Sequence, residues 1–166
     1  MLEKHQDPKQ LFSYKLGSAL KMENTVVDML GRLQGAAQSD ALREQLRHHQ
    51  DETREQIANL EQAFSSLGQE PEKHTDLVIE AIDKEGLVQV KRSDDGIVDA
   101  VILAGAADTE HHEIAVYDWL ITEAEALGHA DVAGLLRQNL EQEQHTLEEV
   151  RRATRASAEQ SSARPA

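Results

Sequence analysis

Residues 103–150 read LAGAADTEHHEIAVYDWLITEAEALGHADVAGLLRQNLEQEQHTLEEV, and the spacing within them decides the fold. A helix buries residues that recur at alternating steps of three and four. Leu103, Ala106, Glu110, Glu113, Tyr117, Leu120, Ala124 and Leu127 form one such series. Gly128 interrupts it, as a helix-ending glycine does. A second series then runs through Leu136, Leu140, Glu143, Leu147 and Val150. The stretch is therefore two long helices joined by a tight turn, each carrying glutamate where an apolar residue belongs.

The N-terminal half repeats the pattern. Phe12, Leu16, Ala19, Glu23, Val26, Leu30 and Leu33 form the stripe of a helix expected from Pro8 to Gln34. Asp7 is its N-cap, Pro8 fits its first position, and Gly35 can end it. Leu42, Leu46, His49, Thr53, Gln56, Leu60, Ala63 and Leu67 form the stripe of a second helix, capped by Ser39 and stopped by Gly68 and Pro71. Between the two hairpins lies a mixed segment, Glu72 to Asp95. Its first part, HTDLVIEAIDKEG, reads as a short helix, and LVQVKRSDDG reads as loop. The third long helix is expected from about Asp95 to Leu127, and the fourth from His129 to a frayed end near Arg155.

Two short-loop hairpins joined by one long connection define an all-α, ferritin-like four-helix bundle, with a crossover that carries a short extra helix between helices two and three. The bundle is expected over residues 8–156, and residues 157–166 read as a disordered tail with nothing to bury.

Composition narrows the chemistry. The 166-residue chain suits one domain that buries a core without staples. It has no cysteine, which excludes disulfide scaffolds, thiolate zinc sites and iron–sulfur clusters. A net charge of −14 argues against nucleic acid and anionic membrane as partners, because both need clustered Lys and Arg. No apolar run reaches the roughly 20 residues of a membrane span, and the polar start MLEKHQDPKQ is unlike a secretory signal, so a cytoplasmic location is expected. There is no phosphate-binding glycine loop or nucleotide fingerprint. Asp94-Asp95-Gly96 reads as a turn, without the acidic spacing of a calcium loop.

The polar residues inside the apolar stripes point to metal. A buried carboxylate is costly unless it is paired or bound to a cation. Four helices each contribute acidic or imidazole groups near mid-length: Glu23, then His49 with Glu52 at the stripe edge, then Glu110 and Glu113, then Glu143. Several carboxylates packed together demand protons or cations, and two divalent ions would serve. Oxygen-rich donors with one imidazole suit iron first and manganese second, rather than zinc. Singly, each residue has a blander explanation, such as a stripe-edge glutamate or a hydrogen-bonded core histidine. Around this set, His111 is a candidate to hydrogen-bond a ligand, with surface exposure as the alternative, and Tyr117 reads as core packing or a hydrogen-bonding partner.

The chain resembles the YciE/YciF family of bacterial ferritin-like stress proteins. The resemblance starts at LFSYKLGSALKMENTVVDML, with its leading Leu-Phe and Glu23. It continues in HHQDETREQIANLEQAF, with His49-x-x-Glu52-Thr53, and is strongest in TEHHEIAVYDWLITEAEALGHADVAGLLRQNLEQE. It covers roughly residues 11–150. The resemblance implies a rubrerythrin-like bundle, often dimeric, with a dinuclear metal site whose ligands by position are Glu23, Glu52, Glu110, Glu113 and Glu143, with His49 nearby. This sequence departs from the usual pair of Glu-x-x-His motifs. His49-x-x-Glu52 runs in reverse order, Thr146 stands three residues after Glu143, and His145 points about 100° away from Glu143 on the helix.

Two functions follow as expectations. One is a di-metal carboxylate protein that handles iron with peroxide or dioxygen in a stress response. The other is a non-catalytic homodimeric stress or assembly protein with a structural or vestigial metal site. A metal store built as a cage is a weaker third.

Overall fold

The computed structural model describes residues 4–162. Five helices follow in order: α1 Pro8–Ala36, α2 Asp40–Ser66, α3 Leu77–Arg92, α4 Val98–Ala126 and α5 Ala130–Ser162. No strand occurs among the described residues. The Asp7 carboxylate accepts from the Gln10 N–H, and the Ser39 hydroxyl accepts from the Leu42 N–H, so both N-terminal caps form as the sequence predicts.

Helices α2 and α4 each end in a left-handed glycine. Gly68 has φ 68° and Gly128 has φ 83°. The Gln69 N–H then donates to the Phe64 carbonyl at 3.0 Å, and the His129 N–H to Ala124 at 2.8 Å. Each closes the six-residue ring of a Schellman cap. The turn between α1 and α2 is held differently. The Asp99 carboxylate, at the start of α4, accepts from the backbone N–H of Gln38 at 2.7 Å and of Ser39 at 2.9 Å. The end of α1 therefore meets the start of α4, and these two helices run antiparallel.

Helices α1, α2, α5 and α4 close a ring, with α3 laid across α1 and α4. This is the ferritin-like arrangement with one long crossover. Apolar layers lie on both sides of the middle. Phe12, Leu16, Leu60, Phe64, Leu120 and Leu136 fill one end. Val26, Leu30, Leu42, Leu46, Ile102 and Val150 fill the other. No described helix is long and apolar enough to cross a membrane.

The crossover is strapped to α1 at Gly17. A Cβ there would lie 2.4 Å from the Glu72 carbonyl oxygen and 2.5 Å from the His74 ring. The His74 N–H donates to the Gly17 carbonyl at 3.1 Å, and the Ser18 hydroxyl donates to Thr75 at 3.3 Å. A small residue at this point is thus a steric requirement of the crossover.

Two expectations are corrected. The segment LVQVKR is not loop: α3 runs on to Arg92, because Ile79 is buried in the core and Ile82, Leu87 and Val90, at helical spacing, face Met29, Leu33 and Ile102. Packing of one face outweighs the modest helix propensity of valine. Residues 157–162, read as part of a disordered tail, are helical and continue α5, with Ala158, Glu159 and Gln160 among them good helix formers. Residues 163–166 of that tail lie outside the described residues.

Candidate metal centre

The four long helices converge on one buried polar layer. His49, Glu110, Glu113 and Glu143 each present a donor atom, and these atoms all lie within 4.8 Å of one another. His49 Nδ1 is 3.5 Å from Glu110 Oε1, and His49 Nε2 is 3.7 Å from Glu143 Oε2. Glu23, Glu110, Glu113 and Glu143 are all 0% exposed. Each stands on its helix's buried stripe, which is apolar beyond the polar layer on either side, so the same periodicity that builds the core drives the carboxylates into it.

Seven of their eight oxygens accept no hydrogen bond: both from Glu110, Glu113 and Glu143, and Oε2 of Glu23. His49 Nε2 is likewise without a hydrogen-bond partner. What faces these oxygens is chiefly other carboxylates, Glu23 against Glu113 and Glu110 against Glu143. The electrostatic consequence is direct. Burial, followed by the charge of Glu143, pushes the carboxyl groups of Glu23, Glu110 and Glu113 well above the usual carboxylate range. Such a cluster binds either protons or cations.

The eighth oxygen has a donor. The Tyr117 hydroxyl donates to Glu23 Oε1, and the Asn139 side-chain N–H donates to the Tyr117 oxygen at 3.0 Å. Asn139 is itself held, donating to the Gln56 carbonyl at 3.2 Å and accepting from Asn59 at 2.7 Å. Burial and the Glu23 charge push the Tyr117 phenol upward, so it stays protonated and remains a donor. Replacing Tyr117 by Phe leaves Glu23 without its donor and Asn139 with the Gln56 carbonyl as its one remaining acceptor. The expected loss is about 1–3 kcal/mol of stability, read as a lower urea midpoint at unchanged m-value.

The six residues expected as ligands are thus distributed unequally. His49, Glu110, Glu113 and Glu143 form the tight group. Glu23 adjoins it through Glu113 and is tethered by Tyr117. Glu52 stands at the rim, 18% exposed, with Oε1 3.5 Å from His48 Nε2. It is near enough for its charge to raise Glu110 further. His111 is exposed, and its neighbour His112 bonds Asp76, the N-cap of α3, at 3.1 Å. His145 is exposed beside Glu149.

Sequence reasoning passed over Gln56 and Asn139 as site residues. Both are fully buried, and neither polar atom of the Gln56 side chain has a partner. The available signal was spacing: Gln56 is two turns beyond His49 on one stripe, and Asn139 is one turn before Glu143.

Comparison with known proteins agrees with this architecture. The model of a domain of unknown function, DUF892, matches residues 7–163. Protein YciF of Escherichia coli is 30% identical over 140 residues, covering 83% of this chain and 84% of that protein. Among solved structures, the E. coli stress protein YciF superimposes with a TM-score of 0.89 at 25% identity, over 93% of this chain and 99% of that one. YcfI from Rhodopseudomonas palustris, suggested to be a structural protein, superimposes with a TM-score of 0.88 at 31% identity, over 91% and 97%. Helix for helix and over nearly its whole length, the chain belongs to the DUF892 family, with the YciF-type ferritin-like proteins.

Proposed function

We propose that this protein holds a pair of divalent cations in the bundle centre, iron in preference and manganese as the alternative, and works as a di-metal protein of the stress response. The observation that carries the reading is the set of seven buried carboxylate oxygens without a hydrogen-bond donor. Four buried carboxylates carry four negative charges, and two divalent ions neutralise them. The donor set fits: it is rich in hard oxygen, with one imidazole and no thiolate.

Glu110, Glu113 and Glu143 would offer both oxygens, and His49 would offer Nε2. Glu23 would offer Oε2 alone, because Tyr117 occupies its other oxygen. A bound iron or manganese pair supplies Lewis acidity and electron-transfer capacity toward peroxide or dioxygen. The protein's own part is to hold the carboxylates in fixed positions, to keep bulk water out by the flanking leucine and phenylalanine layers, and to keep the Tyr117 proton on its phenol facing Glu23.

The test is metal content of protein purified without chelator, beside a Glu110→Ala, Glu113→Ala double variant. The expected result is about two iron or manganese ions per chain, lost in the variant. No metal bound, even after anaerobic addition of Fe²⁺, would refute the reading. A second reading has one specific observation in its favour, the structural role suggested for the Rhodopseudomonas relative. There the bundle is a dimerising or docking module, and substitution of Glu110 changes stability with no metal-dependent activity to lose.

A further inference from the structure

The buried donors have a gradient of exposure that points one way. Glu23, Glu110, Glu113 and Glu143 are sealed, while the side chain of His49 is 7% exposed and that of Glu52 is 18%. Only α2 brings polar groups of the layer to the surface.

Other seams of the bundle are closed near this level. Between α1 and α2, Gln50 donates to the Val27 carbonyl at 2.8 Å and accepts from Gln34 at 3.2 Å. Over α1 and α4 the crossover lies as a strap, with Lys73 bonded to Asn24 at 2.9 Å and Asp76 bonded to His112 at 3.1 Å. The seam between α2 and α5 is closed toward the Phe64 end by the Asn59–Asn139 bond at 2.7 Å. Toward its other end it widens into an open groove lined by Glu44, Gln45, His48, Glu149 and Arg152.

Two of its lining residues, His48 and Glu149, belong to imidazole–carboxylate pairs, one on each helix. His48 faces Glu52 and His145 faces Glu149, each pair at 3.5 Å. Arg152 lies 3.7 Å from Glu149, and among the described residues Glu52 pairs with His48 and with no Lys or Arg. Glu52 is near enough for its charge to act on Glu110, whose oxygens are unpartnered, and it follows His49, with its unpartnered Nε2, by one turn of α2.

We infer that metal reaches the buried centre through the α2–α5 seam, and that Glu52 is the carboxylate that takes up the cation beside His48 and delivers it to Glu110 and His49. The inference rests on the metal-centre reading above. It gives Glu52 a role in transfer instead of a fixed place among the ligands. The transfer asks a change between staggered torsions of the Glu52 side chain, with no covalent bond of the protein made or broken. The overall negative charge of the chain draws cations to the mouth, and the groove concentrates them there.

The experiment is stopped-flow uptake of Co²⁺, followed by its visible absorbance, into the chelator-treated full chain. Wild type is compared with Glu52→Gln, His48→Ala and Glu61→Gln, the last removing the same charge at an exposed site of α2 away from the groove. Glu52→Gln should load about tenfold more slowly or worse, and His48→Ala less severely, with final stoichiometry as in wild type and Glu61→Gln at the wild-type rate. Loading of Glu52→Gln at the wild-type rate overturns the inference. So does a lower final stoichiometry in that variant, which would make Glu52 a resident ligand. Failure of wild type to take up Co²⁺ would instead overturn the metal centre itself.

Discussion

Saturating Mn²⁺ added to the chelator-treated protein at pH 7.5 should raise its melting temperature by about 10 °C, and the gain should shrink toward zero at pH 5. A ligand at a thousand times its dissociation constant stabilises by about 4 kcal/mol. For a chain of this size each kcal/mol moves the midpoint by about 2–4 °C. The pH dependence follows from the raised carboxyl groups of Glu23, Glu110 and Glu113. In the unfolded chain these ionise in the ordinary range near about 4. In the folded, metal-free protein they hold their protons to higher pH. Between the two ranges the folded state binds more protons than the unfolded, so stability falls as pH rises. The metal-free protein should therefore melt higher at pH 5 than at pH 7.5, the reverse of what salt-bridged carboxylates give. Cations replace those protons, so their benefit grows with pH as the protons leave. Differential scanning calorimetry at several pH values, with and without Mn²⁺, reads both trends. A metal-free melting temperature that climbs from pH 5 to 7.5 would mean that the cluster is not the strained group described above.

Much of this architecture is legible in the chain because one period does two jobs. The step of three and four that marks Leu16 and Leu30 for the core also marks Glu23, Glu110, Glu113 and Glu143, so burial of the carboxylates follows from the same count. Gly68 and Gly128 announce the helix ends through a backbone conformation that other residues resist. What stayed hidden depends on contacts distant in sequence. The Tyr117 to Glu23 bond joins residues 94 apart, and no spacing rule predicts it. Gly17 looks like an odd residue in a helix until the crossover lies against it. Val88 and Val90 suggest a strand or loop by residue type; the segment is helical because Val90 packs on the core beneath α3, while Val88 faces solvent. Glu52 illustrates the limit within the site. Its position at the stripe edge was readable, but whether an edge residue turns inward or toward a neighbouring histidine depends on side-chain torsions that spacing does not encode.

Glu113→Gln should make the metal-free protein more stable while removing its response to metal. Glu113 is fully buried, and the charges of Glu143, Glu23 and Glu110 all act against its ionised form. Neither of its oxygens has a donor. Glutamine keeps the shape, removes one charge from the cluster, and supplies an N–H₂ group that can donate to the surrounding carboxylate oxygens. Even buried charges that are paired can be replaced by neutral groups of similar volume at no cost or with a gain of about 1–4 kcal/mol, and Glu113 has no cationic partner of its own to lose. In urea with chelator, the midpoint of Glu113→Gln should therefore exceed that of wild type. With Mn²⁺ the order should reverse, because the variant has lost a donor and a charge that the cations need. A variant less stable than wild type under both conditions would show Glu113 to be held by native interactions of its own, and the cluster would then be a satisfied polar core. A crossing of the two orders would locate the cost where a function places it: four carboxylates are kept in the core against their own repulsion, and the cation that relieves them is the reason to keep them.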